Sequence, residues 1–279
     1  MATTVRDLLR LPEGPVDLGA LDTRATQGAP GRKKATRASM TDHAERLATL
    51  QEALYAEGSH RGRRRVLLVL QGMDTAGKGG VIKHVVGMMN PQGVRITSFK
   101  APTEQELAHH YLWRIRRAVP APGFVGVFDR SHYEDVLIVR VQELVEPAVW
   151  ERRYAEINRF ERDLVADGVT LVKCFLHLSA DEQKARLLAR LDDPSKHWKF
   201  NPVDVAQRRR WADYQEAYAA ALQRCHTETA PWYVVPSDRK WYRNWAVAQL
   251  LIETLTELDP TYPRMRFDVD VQRRRLRAT

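Results

Sequence analysis

The chain has 279 residues, 44% of them hydrophobic, which suits one large α/β domain with a sizeable core and tails. No apolar run approaches the roughly 20 residues of a membrane span, Met1–Arg10 lacks the apolar stretch of a secretory signal, and two cysteines, Cys174 and Cys225, exclude a disulfide framework and fit a reducing cytoplasm. The formal net charge of +9 favours an anionic partner, whether nucleic acid, a membrane surface or an anionic small polymer.

Residues 1–39 read as a flexible basic segment, with Pro, Gly and Thr over 11–31 and cations at Arg32, Lys33, Lys34 and Arg37. Met40–Glu57 reads as a helix, with Leu47, Leu50 and Leu54 on one side and Thr41 or Asp42 as its cap. Val66–Leu70 is then a short apolar strand running into GMDTAGKGG, residues 72–80, with a helix predicted over Val81–Met89. Strand, glycine loop and helix are the setting in which G-x-x-x-x-G-K carries meaning. Backbone N–H groups of Gly72, Met73, Thr75, Ala76, Gly77, Gly79 and Gly80 would cradle phosphate oxygens, and Lys78 would meet the outer phosphates. The usual Ser or Thr after the lysine is replaced by Gly79, so a metal needs another ligand. Asp74 supplies one, because an acid beside bound phosphates is repelled unless a cation lies between them.

Val94–Phe99 is a second strand, with Lys100 at its ligand-facing end. Thr103 and Glu106 form a capping box for a helix running to about Arg117. Phe124–Phe128 is a third strand, ending in Asp129-Arg130-Ser131-His132-Tyr133-Glu134-Asp135. An apolar strand ending in Asp is the second half of a phosphate-loop nucleotide site: Asp129 holds metal, and Arg130 steadies charge on a transferring phosphoryl group. His132 reads as structural, since a phosphate acceptor is already anionic and needs no strong base. Helices follow over Val136–Val145 and Pro147–Asp167, then a fourth strand over Thr170–Leu178.

Residues 184–210 hold eight Lys/Arg against three Asp/Glu, on both sides of a break marked by Pro194 and Pro202. Helix, basic loop and helix between two strands is how a kinase lid is built, and a lid over about 184–213 would bring Arg186, Arg190, Lys196, Lys199 and Arg208 to a polyanion and exclude water. Lys83 and Lys100 would extend that basic groove. Pro202–Thr227 reads as one long helix capped by Asn201, with Trp211, Tyr214 and Tyr218 facing the core. Trp232–Pro236 is a fifth strand and Lys240–Asp259 the last helix, leaving 264–279 as an exposed basic tail beyond a kinase domain of 40–263. The predicted fold is α/β, a doubly wound, mainly parallel five-stranded sheet of the phosphate-loop kinase type, with a helical lid between strands four and five.

The stretches GMDTAGKGG, NPQG with SFKAPTEQEL, FDRSHYEDVLIVRV, LARLDDPSKHWKFNPVD and APWYVVPSDRKWYRN together resemble the polyphosphate kinase 2 family, over roughly residues 40–263. The resemblance implies Mg²⁺-dependent phosphoryl transfer, with Mn²⁺ able to substitute, between inorganic polyphosphate and a nucleoside mono- or diphosphate such as AMP, ADP or GDP. It also implies a cytoplasmic homo-oligomer, a dimer or tetramer, with activity carried by Asp74, Lys78, Asp129, Arg130, and Arg186 or Arg190. DTAGK, NPQG and SFKAP resemble the subgroup that takes AMP through ADP to ATP, whereas GKGG and FDRS resemble the diphosphate users. Two alternatives stay open: an ATP-dependent nucleoside or nucleotide kinase, and a non-catalytic nucleic-acid binder. The second lacks any helix-turn-helix, zinc-finger or RNA-recognition signature.

Overall fold

The computed structural model describes residues 3–264 and 266–279. Five parallel strands form one sheet in the order β2-β3-β1-β4-β5: β1 is Arg65–Gln71, β2 Val94–Ser98, β3 Val125–Asp129, β4 Val169–His177 and β5 Trp232–Pro236. β1 lies at the centre and is buried at every position, which is why it reads as an unbroken apolar run rather than an alternating one. Its side chains still alternate between two cores. Val66, Leu68 and Leu70 join the helices Met40–Gly58 and Lys240–Leu258 on one face, while Leu67 and Val69 join Leu112–Ala118, Pro147–Ala166 and Trp211–Arg224 on the other.

This is the doubly wound α/β architecture that the pattern predicts, and the helical insertion falls between β4 and β5. Several helices are shorter than periodicity suggests. The segment predicted as one helix from Thr103 to Arg117 breaks into Glu104–Leu107 and Leu112–Ala118, because the His110 ring accepts from the Leu112 N–H at 3.3 Å and starts a new helix there. The segment predicted over Pro202–Thr227 divides at Arg210 into Pro202–Arg209 and Trp211–Arg224; Arg208 ties the first piece to the Ala180 carbonyl at 2.6 Å. Val136–Val145 keeps only Ile138–Val141, ended by the left-handed Glu143. The helix behind the glycine loop starts at Lys78 and stops at His84. The helix predicted to be capped by Thr41 or Asp42 begins at Met40, after Ser39.

The ends of the chain also differ from their sequence reading. Residues 3–39 are not loose: Val5, Leu9, Leu11 and Leu18 are buried, and Arg10 bridges to Tyr233 beside β5. The segment then crosses the carboxyl end of the sheet, where Thr23 meets Asp238 and the Leu18 and Leu21 carbonyls meet His177. The described residues of the basic tail are mostly exposed and carry a helix over Val269–Arg277, capped by Asp268.

Candidate active site

In an open parallel sheet the crevice lies beyond the carboxyl ends of the strands, where the strand order reverses. Here that point is the end of β1, between β3 and β4. The chain leaves β1 through Gly72 at φ +147°, where a Cβ would stand 2.7 Å from the Leu176 carbonyl oxygen, so glycine is required. It re-enters a helix through the left-handed Gly77 at φ +113°. Lys78, the first helical residue, is buried and folds back so that its ammonium donates to the Gly72 carbonyl at 2.7 Å. Burial and the nearby Arg130 hold this lysine below its ordinary value, while Asp74, Asp129 and Glu134 pull the other way.

The parallel register pairs Leu70 with Asp129, setting the end of β3 beside the root of the glycine loop. Arg130, in the left-handed region at φ +64°, donates its N–H to the Leu70 carbonyl and its guanidinium to Asp74 Oδ1 at 2.7 Å. Burial opposes its charge, but Asp74, Glu134 and Asp129 outweigh that and raise its affinity for the proton. Thus the two motifs, 55 residues apart from Asp74 to Asp129, meet in space.

Asp129 carries the most informative atom. Among the described residues its buried Oδ1 has no hydrogen-bond partner, and its Oδ2 has only Ser98 Oγ at 3.5 Å. A buried carboxylate oxygen left unpaired is costly unless something positive meets it. Among the described residues no group of three or more His, Cys, Asp or Glu forms a metal cluster. A cation here would therefore rest on Asp129 and Asp74, with phosphate and water oxygens completing its shell, the donor set a hard divalent ion prefers.

The family model described as polyphosphate kinase 2 matches residues 31–263. The chain belongs to the polyphosphate kinase 2 family. It is 50% identical over 253 residues to the AMP/ADP-polyphosphate phosphotransferase of Meiothermus ruber, covering 91% of this chain and 93% of that one. It is 46% identical over 231 residues to the ADP-polyphosphate phosphotransferase of Rhodopseudomonas palustris, covering 78% of each. The crystal structure of polyphosphate kinase 2 from Arthrobacter aurescens superposes with a TM-score of 0.96 at 50% identity, over 99% of this chain and 97% of that one.

Within this kinase the remaining predicted residues sort by what they touch. Arg186 is buried and grips main chain: the Thr75 and Ala76 carbonyls of the loop at 2.9 and 3.3 Å, and the Ser237 and Asp238 carbonyls after β5 at 2.6 and 3.0 Å. It holds the phosphate loop in shape. Arg190 meets the Lys199 carbonyl and Asp204, Arg208 meets Ala180 and Gln183, Lys196 pairs with Asp193, and Lys199 lies over its neighbour Trp198. Lys83 is exposed in the last turn of its helix, and Lys100 is exposed after β2. Neither makes a contact with the Asp74–Arg130 pair.

Further residues pack against the loop without a signal in the sequence. Arg243, in the WYRN stretch, donates to the Ala76 carbonyl at 3.1 Å and fills the space a Cβ at Gly77 or Gly80 would need. Burial and the neighbouring Arg186 push it down to about 9. Gln183 donates to the Asp74 carbonyl at 3.2 Å. Glu134, in the stretch after β3, accepts from Gln71 at 3.2 Å. Burial raises its value against the pull of Arg130 and Lys78. These roles had no signal in spacing, because each depends on a distant element packing against the loop.

Proposed function

We propose that this kinase moves the terminal phosphoryl group of inorganic polyphosphate onto a nucleoside diphosphate, ADP or GDP, and onto AMP, with Mg²⁺ bound at Asp74 and Asp129. The observation that supports it most is that Lys78 and Arg130 lie close enough to Asp74 and Asp129 to feel their charge, while Asp129 keeps a buried oxygen without a partner among the described residues. An oxygen of the acceptor's last phosphate attacks the terminal phosphorus of the chain. The bond from that phosphorus to its bridging oxygen breaks, and the electron pair leaves on the shortened polyphosphate. Lys78 and Arg130 sit where cationic groups can steady charge on the phosphoryl oxygens in flight. The cation would supply further charge neutralisation and hold donor and acceptor phosphates in one frame. The helical insertion between β4 and β5 acts as the lid, its first helix already fastened to the loop through Gln183 and Arg186.

The relatives whose names cover AMP and ADP, and ADP alone, support a nucleotide acceptor. The test is incubation of the protein with polyphosphate, Mg²⁺ and, separately, AMP, ADP and GDP, with no ATP present. ATP or GTP formation from the diphosphates is expected. Turnover only when ATP is supplied as donor would contradict the reading and identify an ATP-dependent nucleotide kinase instead.

A further inference from the structure

Behind the strand-end loop lies a charged cluster that the reaction above does not use. Lys173, in the middle of β4, is fully buried, as are His132 and Tyr133, and Glu161 is almost so. All three ammonium protons of Lys173 are used, on Glu161 Oε2 at 2.7 Å, the Cys225 carbonyl at 2.7 Å and the Tyr133 hydroxyl at 2.9 Å. The Tyr133 hydroxyl in turn donates to Glu161 Oε1 at 2.8 Å. The same oxygen lies 3.1 Å from His132 Nε2, and since a carboxylate only accepts, the ring carries a proton there. Burial would push the Glu161 carboxyl up, but Lys173 and the hydrogen bonds from His132 and Lys173 hold it down and ionised.

The cluster joins four elements: β4, the helix Pro147–Ala166, the end of the helix Trp211–Arg224 that returns from the insertion, and the loop after β3. Its two loop members follow Asp129 and Arg130 by three residues each. Two residues before His132, Arg130 holds a backbone conformation that side chains rarely adopt, which persists only where surrounding contacts fix the chain. On the active-site side the loop is held by the Arg130 N–H on the Leu70 carbonyl, the Arg130–Asp74 pair, Gln71 on Glu134 at 3.2 Å and Arg153 on the Asp135 carbonyl at 2.9 Å; the buried cluster holds it from behind.

We propose that the buried Lys173–Glu161 pair, acting through Tyr133 and His132, is the positioning device that sets Arg130 for phosphoryl transfer. Ion pairs of this kind add little net stability over apolar packing, so geometric precision is a sufficient reason to keep one under a reacting loop. The inference rests on the proposed reaction, in which Arg130 meets the transferring group.

The test compares three variants in ATP formation from polyphosphate and ADP. Tyr133→Phe removes one hydroxyl and keeps the ring. Glu161→Gln with Lys173→Met removes both charges and keeps an acceptor for Tyr133 and His132. Leu47→Ala, in the opposite core, is a control for lost stability alone. A shift of a reacting group by about 1 Å costs about 100-fold, so the double variant should lose about that much in kcat and Tyr133→Phe about tenfold, with KM for both substrates within about twofold. Leu47→Ala, assayed while folded, should keep kcat within about twofold. The inference is overturned if Tyr133→Phe keeps wild-type kcat, or if the control loses as much at equal thermal stability. Should the double variant not fold, Tyr133→Phe decides alone. Absence of turnover in the wild type would overturn the proposed reaction and this inference with it; turnover with unaffected variants overturns the inference only.

Discussion

Lys78 and Asp129 face the same crevice in different states. The lysine is buried and turned back on the Gly72 carbonyl, and the aspartate keeps one oxygen unpaired. Removing the ammonium by Lys78→Ala should lower kcat by about 100- to 1,000-fold, the usual cost of one preorganised donor, with circular dichroism unchanged. Asp74→Asn should abolish most turnover in the same way. Asp129→Asn should additionally raise the Mg²⁺ concentration needed for half-maximal rate; an unchanged metal response would remove Asp129 from the metal site. Glu134 gives a prediction on stability. Its carboxyl is raised in the folded protein, chiefly by burial, so the fold binds that proton more tightly than the unfolded chain does. The group is therefore harmless below the ordinary carboxylate range and costs stability as pH rises through its folded value. Glu134→Gln should raise the melting temperature near neutral pH by an increment that vanishes near pH 4, on the order of the free carboxylate's ordinary range. An increment independent of pH would contradict this.

The phosphate loop and the strands beside it were legible in the sequence because their signals are local. β5 was read as Trp232–Pro236 and is found there, and the Asn201 cap is in place, accepting from the Val203 N–H at 3.0 Å. The helix breaks at 108–111 and at Arg210 were not legible, since they are set by a histidine ring turned onto the main chain and by an arginine reaching back to Ala180. The same holds for the site. Gly72, Asp74, Lys78, Asp129 and Arg130 announce themselves by spacing, whereas Arg186 was expected at the phosphates and instead braces the loop's carbonyls. The loop itself offers a sharp contrast between neighbouring glycines. A Cβ at Gly79 meets nothing within 4 Å, so Gly79→Ser, which restores the usual hydroxyl, should keep kcat within about threefold. A Cβ at Gly77 would stand 1.7 Å from Arg243 Nη1 in a left-handed backbone, so Gly77→Ala should destabilise the loop and lose most activity. Equal tolerance of the two substitutions would contradict the described loop.

Across the whole molecule residues 3–39 behave as part of the fold rather than as an appendage. Composition hid this, because the buried side chains Val5, Leu9, Leu11, Leu18 and Thr36 lie in or around a Pro- and Gly-rich stretch without a period. Removing residues 1–24 should cost about 6 kcal/mol from Val5, Leu9, Leu11 and Leu18, at the low end of burial values, and lower the melting temperature accordingly. A truncated protein as stable as the full chain would show that the segment does not hold. At this scale β1 and β3 aim their ends at one crevice, where Lys78 and Arg130 lie beside Asp74 and Asp129. The most direct measurement is a crystal structure with polyphosphate and Mg²⁺ bound. The account predicts phosphates along Gly72–Gly80 against Lys78 and Arg130, with the cation on Asp74 and Asp129. Phosphates bound elsewhere on the basic surface, with that crevice empty, would contradict it.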